Sequence, residues 1–428
     1  MSPQLTLQTP LELAPSEVPT YLEQLWSTEQ QGNTGSGANT FSLLIWQPAW
    51  AEQQLVRCGR LNGPITGQQS DALLEAGRQA VVDTDLPLST PPTAGELIAA
   101  VAQLNGDTLA DDLRGQYIDP ALSELQPRRL ITLAPTINTH QGLETLVAAY
   151  CPLPEEGGGT TACGDVVVLR GGHDALRDGM SILQPLLPPS MPAWVWWNGF
   201  LDEAPDLMEQ LACAPRRLII DTAVGNPGHC LNLLRSRVES GQAVNDLNWL
   251  RLRSWRETLA MVFDPPNRRD ALCHIKQLDI DVEGHHPAQG LLMAAWIADR
   301  LGWQLQRSEI SEEGVTAQFS RHDGADIRFQ LMTVPTGQPS VHAGQMVGLR
   351  LICQPEQGQG VCVILCAESG GCMRLEGGGM ASLELHEEIV SVQHASPEMD
   401  VARLLSGGHD STNPLLAAAA PLAARLLS

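Results

Sequence analysis

The sequence is almost without lysine, because Lys276 is the only one beside 25 arginines. A nucleotide-binding P-loop requires a lysine within GxxxxGK, and Lys276 lies instead in the context HIKQ. Schiff-base catalysis would depend on this one amine. Arginine side chains are always charged and pair with carboxylates through two parallel hydrogen bonds, as at protein interfaces. The sequence therefore disfavours lysine chemistry and favours contacts made by arginine.

Basic residues as a whole are scarce. The sequence has 49 acidic and 26 basic residues, and its formal net charge is −23. Such a surface repels phosphate backbones and anionic lipid, so we expect no nucleic-acid or membrane partner. No apolar run approaches the ~20 residues of a membrane span. The N-terminal MSPQLTLQTPLELAP has no signal-peptide pattern. Ten scattered cysteines and a hydrophobic fraction of 43% predict a cytoplasmic globular protein with mostly reduced thiols.

Motifs for cofactor and metal chemistry are also missing. Two EGGG segments, 156–159 and 376–379, lack the context of a dinucleotide-binding GxGxxG fingerprint. Paired CxxC clusters for zinc and the GxSxG elbow of hydrolases do not occur. The sequence therefore predicts no cofactor and no metal, and favours a binding protein over an enzyme.

One stretch, DLNWLRLRSWRETLAMVFDPP, predicts a helix over 246–264 that is central to the second half of the chain. Asp246 is placed to cap free N–H groups at the helix start, and the two prolines at 265–266 end the helix. Apolar residues recur at steps of three and four, as on one helix face, at Trp249, Leu252, Trp255, Leu259 and Val262. The helix is either a core element or one that also contacts a partner. The candidate interface residues are Trp249, Arg251, Arg253, Trp255 and Arg256.

The order of strand-like and helix-like segments predicts an N-terminal α/β domain with a mainly parallel sheet. It is followed by an α+β domain with an antiparallel sheet, because strand follows strand between 304 and 392. We expect an N-terminal helix and flexible linker at 1–40, the α/β domain at 41–224 and the α+β domain at 225–428. The predicted strands are 41–48, 129–134, 143–150, 165–169, 193–197, 218–221, 278–282, 304–308, 315–320, 326–333, 346–353, 361–366 and 384–392. The predicted helices, apart from 246–264, are 12–30, 69–82, 94–104, 173–187, 203–213, 288–301 and 413–428.

Two features of the first domain have more than one interpretation. Trp194, Trp196 and Trp197 point to both sides of one strand, which is typical of a strand covered on both faces and indicates a structural role. Asp221 ends a hydrophobic strand, where open α/β sheets bind ligands, although a turn or helix cap is more common there. If Asp221 binds a ligand, the chain is an α/β enzyme or binding protein for a small sugar phosphate or nucleotide.

Two cysteines, Cys366 and Cys372, flank the turn-forming sequence AESGG. A turn between paired strands could bring their Cα atoms within the ~4.4–6.8 Å that a disulfide requires. The pair is therefore either two unlinked thiols on a hairpin or a reversible dithiol that responds to thiol exchange.

Six segments in the same order resemble the OpcA family, the glucose-6-phosphate dehydrogenase assembly proteins of cyanobacterial type. One of them is the stretch at 246–266. The others are RRLITLAP, DVVVLRG, LLPPSMPAWVWWNG and RRLIIDTA before it, and LLMAAWIADRLGW after it. The resemblance implies a non-catalytic activator that binds glucose-6-phosphate dehydrogenase and stabilises its active oligomer in the oxidative pentose phosphate pathway. It also implies regulation by thioredoxin, which would act on the pair Cys366 and Cys372.

Overall fold

The computed structural model divides into two compact units. The first comprises Met1–Ile220 and Pro397–Asp410, and the second comprises Asp221–Ser396 and Ser411–Ser428. The predicted domain boundary lay after residue 224, and the helices predicted at 69–82 and 94–104 lie outside the described residues. The structure describes residues 5–7, 11–29, 41–47, 129–135, 142–152, 164–187, 191–284, 286–335, 344–354, 361–368, 372–378, 388–391, 396–407 and 412–428.

The first unit is built on a mixed sheet whose centre is parallel. Its described strands are β1 (Leu5–Leu7), β2 (Leu11–Glu12), β3 (Ser42–Trp46), β4 (Arg129–Pro135), β5 (Glu144–Pro152), β6 (Gly164–Gly171), β7 (Ala193–Trp197) and β8 (Arg217–Ile220). They follow the order β1-β5-β6-β4-β3-β7-β8, with β2 also on β5. The run from β6 to β8 is parallel, whereas β5 is antiparallel to β6. Every residue of β3 is buried, as expected for a parallel strand covered on both faces.

The helices flank the sheets in both units, and no described helix is long and apolar enough to cross a membrane. Their bounds are α1 (Val18–Glu29), α2 (His173–Asp178), α3 (Leu183–Leu186), α4 (Pro205–Leu211), α5 (Pro227–Glu239), α6 (Leu247–Arg251), α7 (Arg253–Phe263), α8 (Pro266–Arg269), α9 (Ala288–Arg300), α10 (Pro397–Ser406) and α11 (Pro414–Arg425). The single helix predicted at 173–187 is in fact α2, a 3-10 turn at Gly179–Ile182, and α3. Glycine lowers helix stability at this turn, and Pro185 cannot donate the hydrogen bond that would continue an α-helix.

The prediction of one continuous helix at 246–264 was also wrong, because the segment forms two helices, α6 and α7. Between them Leu252 has ψ −4°, close to a turn value, and its carbonyl accepts from the Arg256 N–H to begin the next helix. The five stripe residues from Trp249 to Val262 all remain buried, so the break leaves the apolar face intact. Asp246 caps α6 as predicted, because its side chain accepts from the Asn248 N–H.

The second unit holds an eight-stranded sheet that is antiparallel except where β10 runs parallel to β13. The order is β11-β12-β13-β10-β14-β15-β16-β17. The bounds are β9 (Val244–Asp246, outside this sheet), β10 (Ile275–Glu283), β11 (Gln304–Ser311), β12 (Gly314–Ser320), β13 (Asp326–Val334), β14 (Met346–Cys353), β15 (Val361–Glu368), β16 (Cys372–Gly378) and β17 (Glu388–Ser391). The strand β16 was not predicted, and Lys276 is exposed near the start of β10.

One face of this sheet is covered by α9, which is buried along most of its length. Gly290 makes the close approach possible, because a Cβ there would lie 2.6 Å from Leu331 Cδ1 and 3.0 Å from Ile280 Cγ2. Alternate residues of β10 point to this core, and those between them are half-buried on the opposite face. The helices α5, α9 and α11 pack together behind the sheet.

Candidate functional site

Buried polar side chains of the second unit converge on the segment that follows β8. They belong to Asp221, Thr222, Asp246, Asn248 and Gln289, residues that are each less than one tenth exposed. Buried polar groups are stable only when they are hydrogen-bonded, so this cluster requires a matched set of partners. We therefore call these residues, with Arg251, the polar network.

The strand-end carboxylate Asp221 is held by Arg251 at the end of α6. Arg251 Nη1 donates to Asp221 Oδ1 at 2.9 Å and Nη2 donates to Oδ2 at 2.8 Å. The two side chains are only 11% and 10% exposed. Asp221 Oδ1 also accepts from the Ala223 N–H at 3.0 Å, which closes a turn. The carboxylate that the sequence offered as a ligand-binding group is thus bound by the chain's own guanidinium.

The second buried carboxylate, Asp246, ties α6 to the turn after β8. It accepts from the Thr222 N–H at 3.0 Å, from the Thr222 hydroxyl at 2.8 Å and from the Asn248 N–H at 3.1 Å. Burial, together with the negative charge of Asp221, raises the pKa of Asp246 to about 6, against the opposing effect of these hydrogen bonds. Asp246 therefore exchanges its proton nearer neutral pH than an ordinary aspartate does.

The network continues through amide side chains to the sheet of the second unit. Asn248 Nδ2 donates to the Thr222 hydroxyl at 3.2 Å, and Asn248 Oδ1 accepts from Gln289 Nε2 at 2.8 Å. Gln289 Oε1 then accepts from the Met346 N–H at 2.7 Å. This chain of hydrogen bonds fixes α6 against α9 and against the first residue of β14.

A half-buried histidine lies beside the network. His286 Nε2 is 3.0 Å from the Gly225 carbonyl oxygen, so this nitrogen carries the hydrogen of the bond. Burial lowers the pKa of His286, although the Gly225 carbonyl and the charge of Asp221 oppose that shift. Neutral His286 is a positioning group for the turn that precedes α5.

Among the predicted interface residues, Trp249 and Arg256 form one unit. The Arg256 guanidinium carbon lies 3.6 Å from the centre of the Trp249 ring, and Arg256 Nη1 donates to the Trp249 carbonyl at 2.8 Å. Burial lowers the pKa of Arg256 to about 10, which still leaves the side chain charged at neutral pH. The stacked pair locks α7 onto α6 and gives the guanidinium one orientation.

The other predicted interface residues divide into buried and exposed groups. Trp255 is buried, whereas Arg253 is exposed and pairs with Glu257 across one helical turn at 2.7 Å. Met261 lies further along α7 with 51% of its surface exposed. We call Arg253, Glu257 and Met261 the α7 surface.

The tryptophans of β7 belong to the first unit and lie apart from this site along the chain. Trp196 and Trp197 are buried, and Trp194 is half-buried with Arg217 over its ring at 4.8 Å. Trp197 stacks on Trp46 of β3, with ring centres 4.5 Å apart. Both faces of β7 are thus packed, and the partner Trp46 was not singled out from the sequence.

Cys366 and Cys372 lie on the paired strands β15 and β16, as a hairpin requires. In the register, Cys366 is opposite Arg374 and Cys372 is opposite Glu368, so the two positions are offset by two residues. Such diagonal neighbours are about 7–8 Å apart between Cα atoms, which is longer than most disulfides span. The dithiol remains a prediction, and forming it would need a shift of these strands.

Within the described ranges, no three histidine, cysteine or acidic side chains are grouped closely enough to hold a metal ion. Sequence reasoning found Asp221 and Asp246, but it missed Thr222, Asn248 and Gln289. The only signal for Asn248 is a polar residue between apolar neighbours in the first turn of a helix. Nothing in the spacing links Asp221 to Arg251, which lies 30 residues later.

Fold and site together define a two-unit α/β protein in which a buried ion pair and buried hydrogen bonds support an arginine- and tryptophan-rich helix pair. Residues 119–236 match the family model for the N-terminal domain of the glucose-6-phosphate dehydrogenase subunit, and residues 242–420 match that for its C-terminal domain. The chain belongs to this family, OpcA.

Three proteins named OxPP cycle protein OpcA are similar to this chain over nearly its whole length. The protein of Synechococcus elongatus is 31% identical over 93% of this chain and 92% of its own. That of Synechocystis sp. is 31% identical over 94% and 89%, and that of Nostoc punctiforme is 30% identical over 92% and 89%.

Two solved structures align with most of this chain at low sequence identity. Glucose-6-phosphate 1-dehydrogenase from Mycobacterium avium aligns over 91% of both chains with 11% identity and a TM-score of 0.43. Levoglucosan dehydrogenase aligns over 90% of this chain and 94% of its own, with 9% identity and a TM-score of 0.40.

Proposed function

We propose that this chain is a non-catalytic activator that binds glucose-6-phosphate dehydrogenase and stabilises its active oligomer. The observation that carries the proposal is the match of both family domains of the glucose-6-phosphate dehydrogenase subunit to this chain. The engagement of Asp221 by Arg251 adds support, because the strand-end carboxylate is already neutralised within the protein.

The physical basis of activation is linkage between binding and conformation. A protein that binds one state of its partner more tightly shifts the partner's population by the difference in affinity. If the chain prefers the assembled dehydrogenase, it raises the active fraction without touching the reacting atoms. No chemistry at the polar network is then required.

The α7 surface, which includes Arg253 of the predicted interface, best fits this role. Arg253 is exposed and free to exchange its partner Glu257 for a carboxylate of another protein, whereas Arg251 is committed to Asp221. Trp249 and Trp255 are buried beneath it and provide rigid support. Arg256, fixed on the Trp249 ring, is preorganised for a second contact, which lowers the entropy lost on binding.

A regulatory role for Cys366 and Cys372 completes the proposal. Reduction by thioredoxin would break a bond between the two sulfurs, with the electrons and protons supplied by the thioredoxin dithiol. The offset register means that the oxidised form would strain β15 against β16, so oxidation would alter this edge of the sheet. We infer that the reduced and oxidised chains differ in their affinity for the dehydrogenase.

The experiment is to mix the purified chain with glucose-6-phosphate dehydrogenase from the same cell and to follow NADPH formation. The mixture should show higher turnover or a lower substrate requirement, and the chain alone should show neither. Sedimentation of the mixture should show a complex that contains both proteins. Turnover of a sugar phosphate by the isolated chain, or no effect on the dehydrogenase, would contradict the proposal.

A further inference from the structure

The outer side of β11 is an exposed strand edge in the second unit. This strand ends the sheet order, and within the described ranges it pairs only with β12. Six of its eight residues are exposed, including Ile310 at 59%, and only Leu305 and Ser308 are half-buried. An exposed row of backbone N–H and C=O groups is a template for a strand from another chain.

Two opposite charges lie on this edge at an informative spacing. Arg307 is opposite Gln318 and Glu309 is opposite Thr316 in the β11–β12 register, so both project from the same face of the sheet. Both are exposed, and neither forms an ion pair with any residue that the structure describes. Between them, Ser308 projects to the other face.

We propose that two copies of this chain associate through antiparallel pairing of their β11 strands, about a two-fold axis at Ser308. The occupant of the edge is thus a second copy, and the contact is isologous, as in most homodimers. The two eight-stranded sheets become one continuous sheet across the axis.

The register follows from the hydrogen-bonding pattern and the charges. Residues that pair directly in an antiparallel ladder must have the same hydrogen-bonding orientation, which alternates along a strand. A symmetric pair must therefore be centred on a residue. Centring on Arg307 or on Glu309 would place like charges opposite each other, which is destabilising.

Centring on Ser308 instead places Arg307 of each copy opposite Glu309 of the other. Two cross-strand ion pairs form, and both are on the open face of the joined sheet. Of the registers centred on Arg307, Ser308 and Glu309, charge complementarity therefore selects the one centred on Ser308. The irregularity in β11 between Leu305 and Arg307 limits how far regular pairing extends, so we expect a reversible dimer.

The first test is a disulfide across the axis. In this register the two Ser308 side chains are direct neighbours, with Cβ atoms about 4.5–5.5 Å apart. Ser308→Cys, with the exposed Cys213 and Cys273 changed to Ser, should form a covalent dimer on mild oxidation. Ser311→Cys in the same background is the matched control, because residue 311 faces residue 305 of the partner and should give little dimer.

The second test is a charge swap measured by sedimentation equilibrium of the full chain of 46.2 kDa. Arg307→Glu or Glu309→Arg alone should weaken the dimer about tenfold, because each converts two attractive pairs into repulsive ones. The double variant restores both pairs in reversed polarity and should recover the wild-type dimer. The dimer should also weaken with added salt.

Three results would overturn the proposal: a chain that stays monomeric at every concentration, a dimer that the single reversals leave unchanged, or crosslinking no greater at 308 than at 311. Circular dichroism of each variant separates a lost dimer from a lost fold. A wild-type dimer with failed activation of the dehydrogenase would reject the proposed function and leave this pairing intact.

Discussion

Arg251 binds Asp221 through two parallel hydrogen bonds of 2.9 and 2.8 Å, and both side chains are largely buried. This ion pair fixes the end of α6 to the turn after β8. Removing one member leaves a buried charge without its partner, which is far more destabilising than losing an exposed pair. The pair is therefore where stability can be tested most directly.

Replacing Arg251 with Met should lower the free energy of unfolding by about 3 kcal/mol, because Asp221 would be left buried and unneutralised. Chemical denaturation gives the measurement. Arg253→Met is the matched control, since its pair with Glu257 is exposed, and its effect should stay within about 0.5 kcal/mol. Equal losses in the two variants would show that the Asp221 contact contributes little.

Asp246 predicts a specific dependence of stability on pH. Its folded pKa of about 6 lies above the ordinary aspartate value of 3.8, so the folded state binds the proton more tightly than the unfolded state does. This group's contribution is therefore full below the unfolded pKa and is lost as pH rises through about 6. The loss is on the order of 3 kcal/mol.

Asp246→Asn should remove that loss, because an amide keeps the geometry of the protonated carboxyl without a charge. The unfolding free energy of the variant, relative to the wild type, should increase between pH 4 and 6 and then stay constant. Denaturation curves at several pH values measure the difference. Two parallel pH profiles would mean that folding does not raise the pKa of Asp246.

Arg256→Met should cost about 1–2 kcal/mol of stability, because it removes the stacking on Trp249 and the hydrogen bond to the Trp249 carbonyl. Arg256→Lys keeps the charge but not the planar group, and should recover only part of the loss. Thermal unfolding and Trp fluorescence would follow both variants. If Lys behaved as the wild type, charge alone would explain the contact.

For partner binding, Arg253→Glu should weaken the complex with glucose-6-phosphate dehydrogenase by about tenfold, because it reverses an exposed charge of the α7 surface. Calorimetry or biolayer interferometry gives the dissociation constant. Arg328→Glu on β13 makes the same charge change at another exposed position. A similar effect from both variants would point to net charge and not to the α7 surface.

Cys366→Ser should make activation of the dehydrogenase independent of reductant, because the variant cannot form the bond to Cys372. The assay compares turnover before and after treatment with dithiothreitol. Cys362→Ser, on the same strand, is the control and should respond as the wild type does. Retained redox dependence in Cys366→Ser would reject this pair of thiols.

Much of the fold could be predicted because hydrophobic runs and their boundaries are local properties. The strand β7 was predicted with the observed bounds, and β14 likewise, since each is a short apolar run between turn residues. The strand β5 was predicted as part of a mainly parallel sheet, yet it is antiparallel to β6. Strand direction depends on how the connecting segments pass over the sheet, which periodicity does not record.

The candidate site was less predictable because its contacts join distant residues. Asp246 was recognised as a helix cap from its own neighbours, whereas Gln289 reaches Asn248 from another helix. The break at Leu252 was missed for a related reason. Apolar residues recur at steps of three and four both in one continuous helix and in two consecutive helices such as α6 and α7. Only packing decides between them.

The single lysine allows local opening of the second unit at β10 to be measured by proteolysis. A protease that cuts after lysine has one target bond, between Lys276 and Gln277, near the start of β10. Lys276 lies at a bulge against β14, and Gln277 is the first residue that pairs with β13. Cleavage needs this end of β10 to leave its neighbours, so the rate of appearance of two fragments reports the local opening of the strand. A bound protein that stabilises this unit would slow the digestion, without any label attached to either molecule.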